Sequence, residues 1–157
     1  MAKITDLKGE WASAIGKAFV AFGSIEHVTV VCLKELPKDR IQRTTKSFRL
    51  GQRIALLVEL LEAHDGALYR ELSAKLKRAK ELAETRNLIA HNPLVMDFFQ
   101  RQDGSMFTRE VIAHLHQDKH ITLNELEEFA SESETLASDL YRISSAVFQV
   151  HRQPAGT

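Results

Sequence analysis

The 157-residue chain is 44% hydrophobic and 27% charged, with 21 basic and 21 acidic side chains and a formal net charge of zero. This is the composition of an ordinary globular protein long enough to bury one core, and bulk charge gives no sign of a nucleic-acid binder. The single cysteine, Cys32, cannot form an internal disulfide, so nothing points to secretion.

The start, MAKITDLKGEWAS, has no long apolar run of the kind a signal peptide needs, and no uncharged apolar stretch of membrane-spanning length follows. The expected compartment is the cytoplasm, with no membrane contact. One domain over 1–150 and a frayed tail over 151–157 are expected.

The first predicted helix runs from about Thr5 to Leu36. Leu7, Trp11, Ile15, Ala18, Phe22, Ile25, Thr29, Cys32 and Leu36 recur in alternating steps of three and four, which makes one helical stripe. Pro37 breaks it. From Lys38 to Ser47 the chain is polar and basic, a loop or a short helix. A second helix over Phe48 to Ala63 carries Ile54, Leu57, Val58 and Leu61 and closes at His64-Asp65-Gly66, where Gly66 can supply a left-handed cap. A third helix spans about Ala67 to Ala90, and Pro93 ends it.

LVMDFFQ and SMFTREVIAHLH are rich in β-branched and aromatic residues, with Asp103-Gly104 between them. That pattern predicts a β-hairpin. A last helix begins near Thr122, where Thr122 and Glu125 form a capping-box pattern, and extends to about Val150. It carries Leu126, Phe129, Ser133, Leu136, Leu140, Ile143 and Val147. The expected fold class is all-α: a four-helix up-and-down bundle with a β-hairpin inserted before the last helix.

Charge is unevenly placed. Lys34, Lys38, Arg40, Arg43, Lys46, Arg49 and Arg53 face only Glu35 and Asp39 in the same segment, while 118–139 is acidic. Such a polar molecule could hold a phosphate backbone on its basic side, although two solvated helix faces explain the pattern as well.

The residues most suited to chemistry close the third helix, in ELAETRNLIAHNP. Leu72, Leu76, Ala79, Ala83 and Ala90 share one face of the wheel, and Arg86 falls within about 40° of its centre. A guanidinium there needs an anionic partner. Asn87 lies on the flank, and His91 is one turn farther on the same side, at the helix end. Arg86-Asn87-Leu88-Ile89-Ala90-His91 resembles the signature of the HEPN family: arginine, then a polar residue such as asparagine, with histidine after four to six intervening residues. The resemblance implies an all-α bundle with the motif at the end of a core helix. It further implies a homodimer in which two motifs face one cleft, and metal-independent RNA cleavage by Arg86, Asn87 and His91. No cofactor is implied. Its context would be a toxin–antitoxin or defence system, with RNA and an antitoxin protein as partners. Some family members carry a modifiable tyrosine two residues after the histidine; Pro93 stands there, so that form of control is not expected.

Competing patterns are weaker. Arg109 to His114 repeats the spacing, but in the predicted hairpin, where residues five apart face opposite ways. His114, His116 and His120 lack a carboxylate or cysteine to complete a metal site, so none is expected. His64 beside Asp65 suits a helix end better than a catalytic dyad. There is no glycine-rich phosphate loop and no nucleophile elbow. The plain structural alternative is that Arg86 pairs with an acid at the core edge and His91 caps the helix. A non-catalytic module binding RNA or protein is the alternative function, and a helical regulator working through the basic 34–53 segment is a third.

Overall fold

The computed structural model describes residues 2–3, 9–37 and 41–152. Its elements in chain order are β1 (Ala2–Lys3), α1 (Gly9–Glu35), α2 (Gln42–Thr45), α3 (Leu50–Glu62), α4 (Ala67–His91), β2 (Leu94–Gln100), β3 (Met106–Ala113), β4 (His120–Ile121) and α5 (Leu123–Arg152). The protein is mainly helical with a small antiparallel sheet. The expected starts of the first helix at Thr5 and of its stripe at Leu7 lie outside the described residues.

The stripe on α1 is buried as expected: Trp11, Ala18, Phe22, Ile25, Thr29 and Cys32 are core residues, with Ile15 at the edge. α1 packs on α5, α3 and α4; α5 packs on α4, and α4 on α3. The four long helices thus close a ring of contacts around one core. This central position accounts for the buried stripe of α1 but not for all of its apolar character, since only 33% of its most apolar window is buried. By length and composition it is apolar enough to cross a membrane, with a mean hydropathy of 1.4 over its best window, and its apolar side meets three other helices. Burial pushes the Cys32 thiol up to about 12, so this cysteine is a core residue without thiolate character at neutral pH.

α3 buries Ile54, Leu57 and Leu61, with Val58 at the edge. Gly66 differs from expectation. It does not cap α3 but precedes α4, with φ 147° and ψ 151°. A Cβ there would sit 3.1 Å from the Tyr69 ring, and the positive φ is one that other residues adopt only with strain. His64 stacks on Tyr69 at 4.9 Å between ring centroids and meets His151 edge-on at 5.3 Å. It is a packing residue, in line with its reading as a helix-end group.

The hairpin forms where expected. β2 and β3 pair antiparallel from Leu94↔Ile112 to Gln100↔Met106. The five-residue connection is held by Arg101 N donating to Ser105 O at 2.8 Å and by Asp103, whose carboxylate accepts from Ser105 N and Oγ. Gly104 takes φ 84° there. Two short strands that the sequence did not suggest flank the hairpin: β1 on β2 and β4 on β3, giving the order β1-β2-β3-β4. The hairpin is anchored to α1 where Trp11 Nε1 donates to Glu110 Oε2 at 3.1 Å.

α5 buries every residue of its predicted stripe and continues through His151 and Arg152, two residues past the expected boundary. It is tied to α4 by Lys75–Asp139 at 2.5 Å and Arg78–Glu132 at 2.6 Å. At its start Thr122 N and Oγ1 both donate to Glu125 Oε2 at 2.8 Å, and Glu125 N donates back to Thr122 Oγ1 at 3.3 Å. The Thr122 backbone bond first, then its hydroxyl, lower the Glu125 pKa against the opposing effect of desolvation. A carboxylate whose folded pKa is depressed stabilises the fold above its unfolded pKa, and that contribution is lost as pH falls through the lower folded value. Thr122→Ala should therefore cost about 1 kcal/mol at neutral pH, a fall of roughly 2–4 °C in melting temperature. The difference between variant and parent should shrink below about pH 4, which thermal melts across pH 2–7 would measure.

Candidate functional site

The site is built on the last two turns of α4. The buried line along this helix runs Leu72, Leu76, Ala79, Leu82 and Ile89. It departs from the predicted face at its end: Ala90 is exposed, and Ile89 takes the buried position. The reason is geometric, since steps of three and four from Leu76 lead through Leu82 to Ile89 and leave Ala90 about 100° off. Arg86 lies on that line between Leu82 and Ile89, a cation in a place where the pattern calls for an apolar side chain.

α1 makes that position tenable. Arg86 Cζ sits 5.5 Å from the centroid of the Phe19 ring, and Nη2 lies 3.9 Å from Glu26 Oε1. Phe19 and Glu26 are seven residues apart on α1, so both project from one side of it. The Arg86 side chain keeps 31% of its surface exposed, and Glu26 keeps 36%. An ion pair this long and this open contributes at most about 1 kcal/mol, and the cation–π contact a similar amount. The guanidinium is held in place without being neutralised. Its Nη1 donates to Asn87 Oδ1 at 3.3 Å, which fixes the orientation of that carboxamide.

Asn87 and His91 are exposed, and His91 stands in the last turn of α4. The structure thus brings Arg86 and Asn87 into contact and presents His91 at the same helix end. The acid at the core edge that the structural alternative required is Glu26.

Asn92, which the sequence reading used only as part of a stop signal, does more. It leaves the helix in an extended conformation at φ −124°. Its Nδ2 donates to Leu88 O at 2.8 Å, and its Oδ1 accepts from Leu115 N at 3.2 Å. One side chain therefore closes the helix end and fastens the loop after β3 against it. The asparagine before proline was the available signal; its second partner lies 23 residues away and is invisible locally.

The repeated Arg109–His114 spacing runs from β3 into that loop. β3 ends at Ala113, so His114 and His116 are on a loop and not side by side on a strand, as the metal alternative needed. His116 N donates to His114 Nδ1 at 3.1 Å. Among the described residues no three His, Cys, Asp or Glu side chains converge as a metal site would require.

No protein family, curated protein or solved structure gives a significant match to the chain. The chemistry of the site rests on its own geometry and on the likeness of its motif. A groove of about 910 Å³ between α1 and α5 is lined by Ser13, Gly16, Val20 and Ala130 among others, and by none of the three motif residues. Asn87 and His91 instead stand on an open surface, with Arg86 half-buried beside them.

Asn92→Ala removes both bonds of the bridge at once. Each such bond contributes about 0.5–1.5 kcal/mol. The variant should lower the melting temperature and raise amide exchange at Leu115 while leaving exchange in α1 unchanged. Parent-like protection at Leu115 would mean that the bridge does not hold the loop.

Proposed function

We propose that this chain is a metal-independent endoribonuclease of the HEPN type, with Arg86, Asn87 and His91 as its catalytic residues. The observation that carries the reading is the arrangement at the end of α4: a positioned but weakly paired guanidinium, a carboxamide oriented by it, and an exposed imidazole in the same turns. The ring of contacts among α1, α5, α4 and α3 supports an up-and-down bundle of the HEPN kind.

In the proposed reaction His91 takes the proton from a ribose 2′-OH. The 2′-oxygen attacks the adjacent phosphorus, a bond forms to it, and the bond to the 5′-oxygen breaks. The leaving oxygen takes a proton from a second imidazole. The products are a 2′,3′-cyclic phosphate and a 5′-hydroxyl, and atoms and charge balance without an oxidant or a cofactor. An imidazole has one nitrogen that can accept a proton and, once protonated, can donate one, which suits both transfers. Arg86 holds the non-bridging oxygens and stabilises the charge that builds there. Asn87 hydrogen-bonds the phosphate.

One chain presents one motif on an open surface, so the proposed enzyme is a homodimer whose partner copy supplies the second imidazole and closes the site. RNA is the substrate. A cytoplasmic toxin–antitoxin or defence system, with an antitoxin protein as partner, is the proposed setting.

The contact of Arg86 with Glu26 and Phe19 favours a second reading, in which the motif is structural and the chain is a non-catalytic module for RNA or protein. The two readings part on His91. In the first, His91→Ala lowers single-stranded RNA cleavage at least 100-fold, because a positioned acid or base contributes about 10²–10⁴. Cleavage by the parent persists in EDTA and yields cyclic or 3′-phosphate ends. A His91→Ala protein that melts like the parent and cuts at the parent rate decides for the second reading.

Oligomeric state is a separate prediction. Light scattering after size exclusion at micromolar protein should give twice the 17.8 kDa of one chain. A monomer at every concentration removes the composite site.

A further inference from the structure

The basic 34–53 segment takes no part in the site at the end of α4, yet it folds around a pocket of its own. The last turn of α1, the turn after α2 and the first turn of α3 enclose a volume of about 260 Å³ lined by Val30, Leu33, Lys34, Thr45, Lys46 and Arg53. Three cationic residues from three different parts of the chain therefore border one small space. Among the described residues none of the three forms an ion pair. Glu35, the neighbouring acid, is turned to Arg152.

Arg53 adds an independent observation. Its Nε is buried and has no hydrogen-bond partner. Burying a charged donor without an acceptor is costly, and folded proteins seldom leave one so. The hydroxyl of Thr45 is already committed to Ile41 O at 3.2 Å, so it does not serve as the acceptor. What the pocket lacks is oxygen atoms carrying negative charge.

We infer that this pocket is a binding site for a single phosphate group, held by Lys34, Lys46 and Arg53. Size narrows the ligand class. The volume falls below the roughly 300–1,000 Å³ usual for pockets that enclose a whole small molecule. It takes a tetrahedral anion and leaves anything attached to that anion outside.

Position suggests the source. At about 100° and 1.5 Å per residue, Val30 and Leu33 lie within about 40° of Glu26 around α1 and roughly 6–11 Å farther along its axis. Glu26 is the acid that holds Arg86. The pocket and the Arg86 site therefore share one side of α1, and one strand could place a phosphate in each. RNA as the source rests on the ribonuclease reading; the pocket itself does not.

The test uses the whole chain as the His91→Ala variant, so that RNA is not cut, and reads the Arg53 Nε–Hε signal by proton–nitrogen correlation NMR. Sodium phosphate should move that signal saturably, with half-saturation near about 1 mM, where sodium chloride of equal ionic strength does not. Lys46 is exposed, so Lys46→Glu should keep the fold and weaken phosphate at least tenfold. Arg53→Gln should abolish binding, but it also alters a partly buried side chain of α3, which is why Lys46→Glu decides. A drift that never saturates, or undiminished binding by Lys46→Glu, overturns the pocket. A single-stranded RNA that displaces phosphate from the Arg53 signal identifies the backbone as the source. Displacement by free phosphate monoesters alone supports the same pocket with a small-molecule source. Phosphate binding in a protein whose unmutated form cuts no RNA would remove the ribonuclease reading and leave the pocket standing.

Discussion

Ile25 and Cys32 are fully buried on a 27-residue helix that reaches every region where the protein presents chemistry. The burial of α1 is the constraint on which the other features depend. Its core stripe fixes the helix in rotation against α5, and that rotation decides what its remaining faces show. Trp11 reaches Glu110 on the hairpin, Phe19 and Glu26 reach Arg86, and Val30, Leu33 and Lys34 wall the basic pocket. A rotation of α1 by one residue would move all of these together, by about 100°. The stripe has no such freedom, because it would carry Phe22 and Ile25 out of the core, at about 1.5–3 kcal/mol each.

Arg86 illustrates how such a scaffold places a charge. Its position in α4 is set by Leu82 and Ile89, which the core demands. The side chain must then lie against α1, where an aromatic face and a carboxylate receive it. Neither contact is strong. Together they restrict the rotamers of a long side chain whose freedom would otherwise cost up to about 2 kcal/mol to lose when a phosphate arrives. The same contacts would serve a purely structural arginine. The difference between the two roles lies in Asn87 and His91, which are exposed and contribute nothing visible to the core.

The periodic parts of the fold were legible in the sequence. Steps of three and four gave the stripes of α1, α3 and α5 almost residue by residue, because burial against neighbours is what those stripes record. Asp103-Gly104 gave the hairpin, and Thr122 with Glu125 gave the start of α5, because turns and caps are local chemistry. What failed was non-local. β1 and β4 are two residues each, too short for any alternation to show, and exist through pairing with distant strands. Ala90 and Ile89 exchanged places because the buried line drifts around a long helix. At the candidate site the motif could be read, and the need of Arg86 for an acid could be argued from its place on the wheel. That the acid is Glu26, and that Asn92 ties His91's helix end to the loop at Leu115, depend on how segments meet in space.

The zero net charge conceals a division of labour that the ion pairs make plain. Two acids in the last helix hold α5 to α4: Asp139 takes Lys75, which lowers its pKa, and Glu132 takes Arg78. Glu125 is engaged by Thr122 at the helix start. The cations of the 34–53 pocket have no such duties. Bulk charge counts both sets equally, yet an approaching polyanion meets them differently. A paired acid projects only the weak, short-range field of a dipole, because its charge is nearly cancelled by its neighbour. Three unpaired cations around a low-dielectric pocket sum their potentials and focus them at its mouth. A neutral chain can therefore present a locally positive face without any excess of basic residues, since acids that balance it, such as the exposed Glu127 and Glu134 on α5, stand elsewhere on the surface.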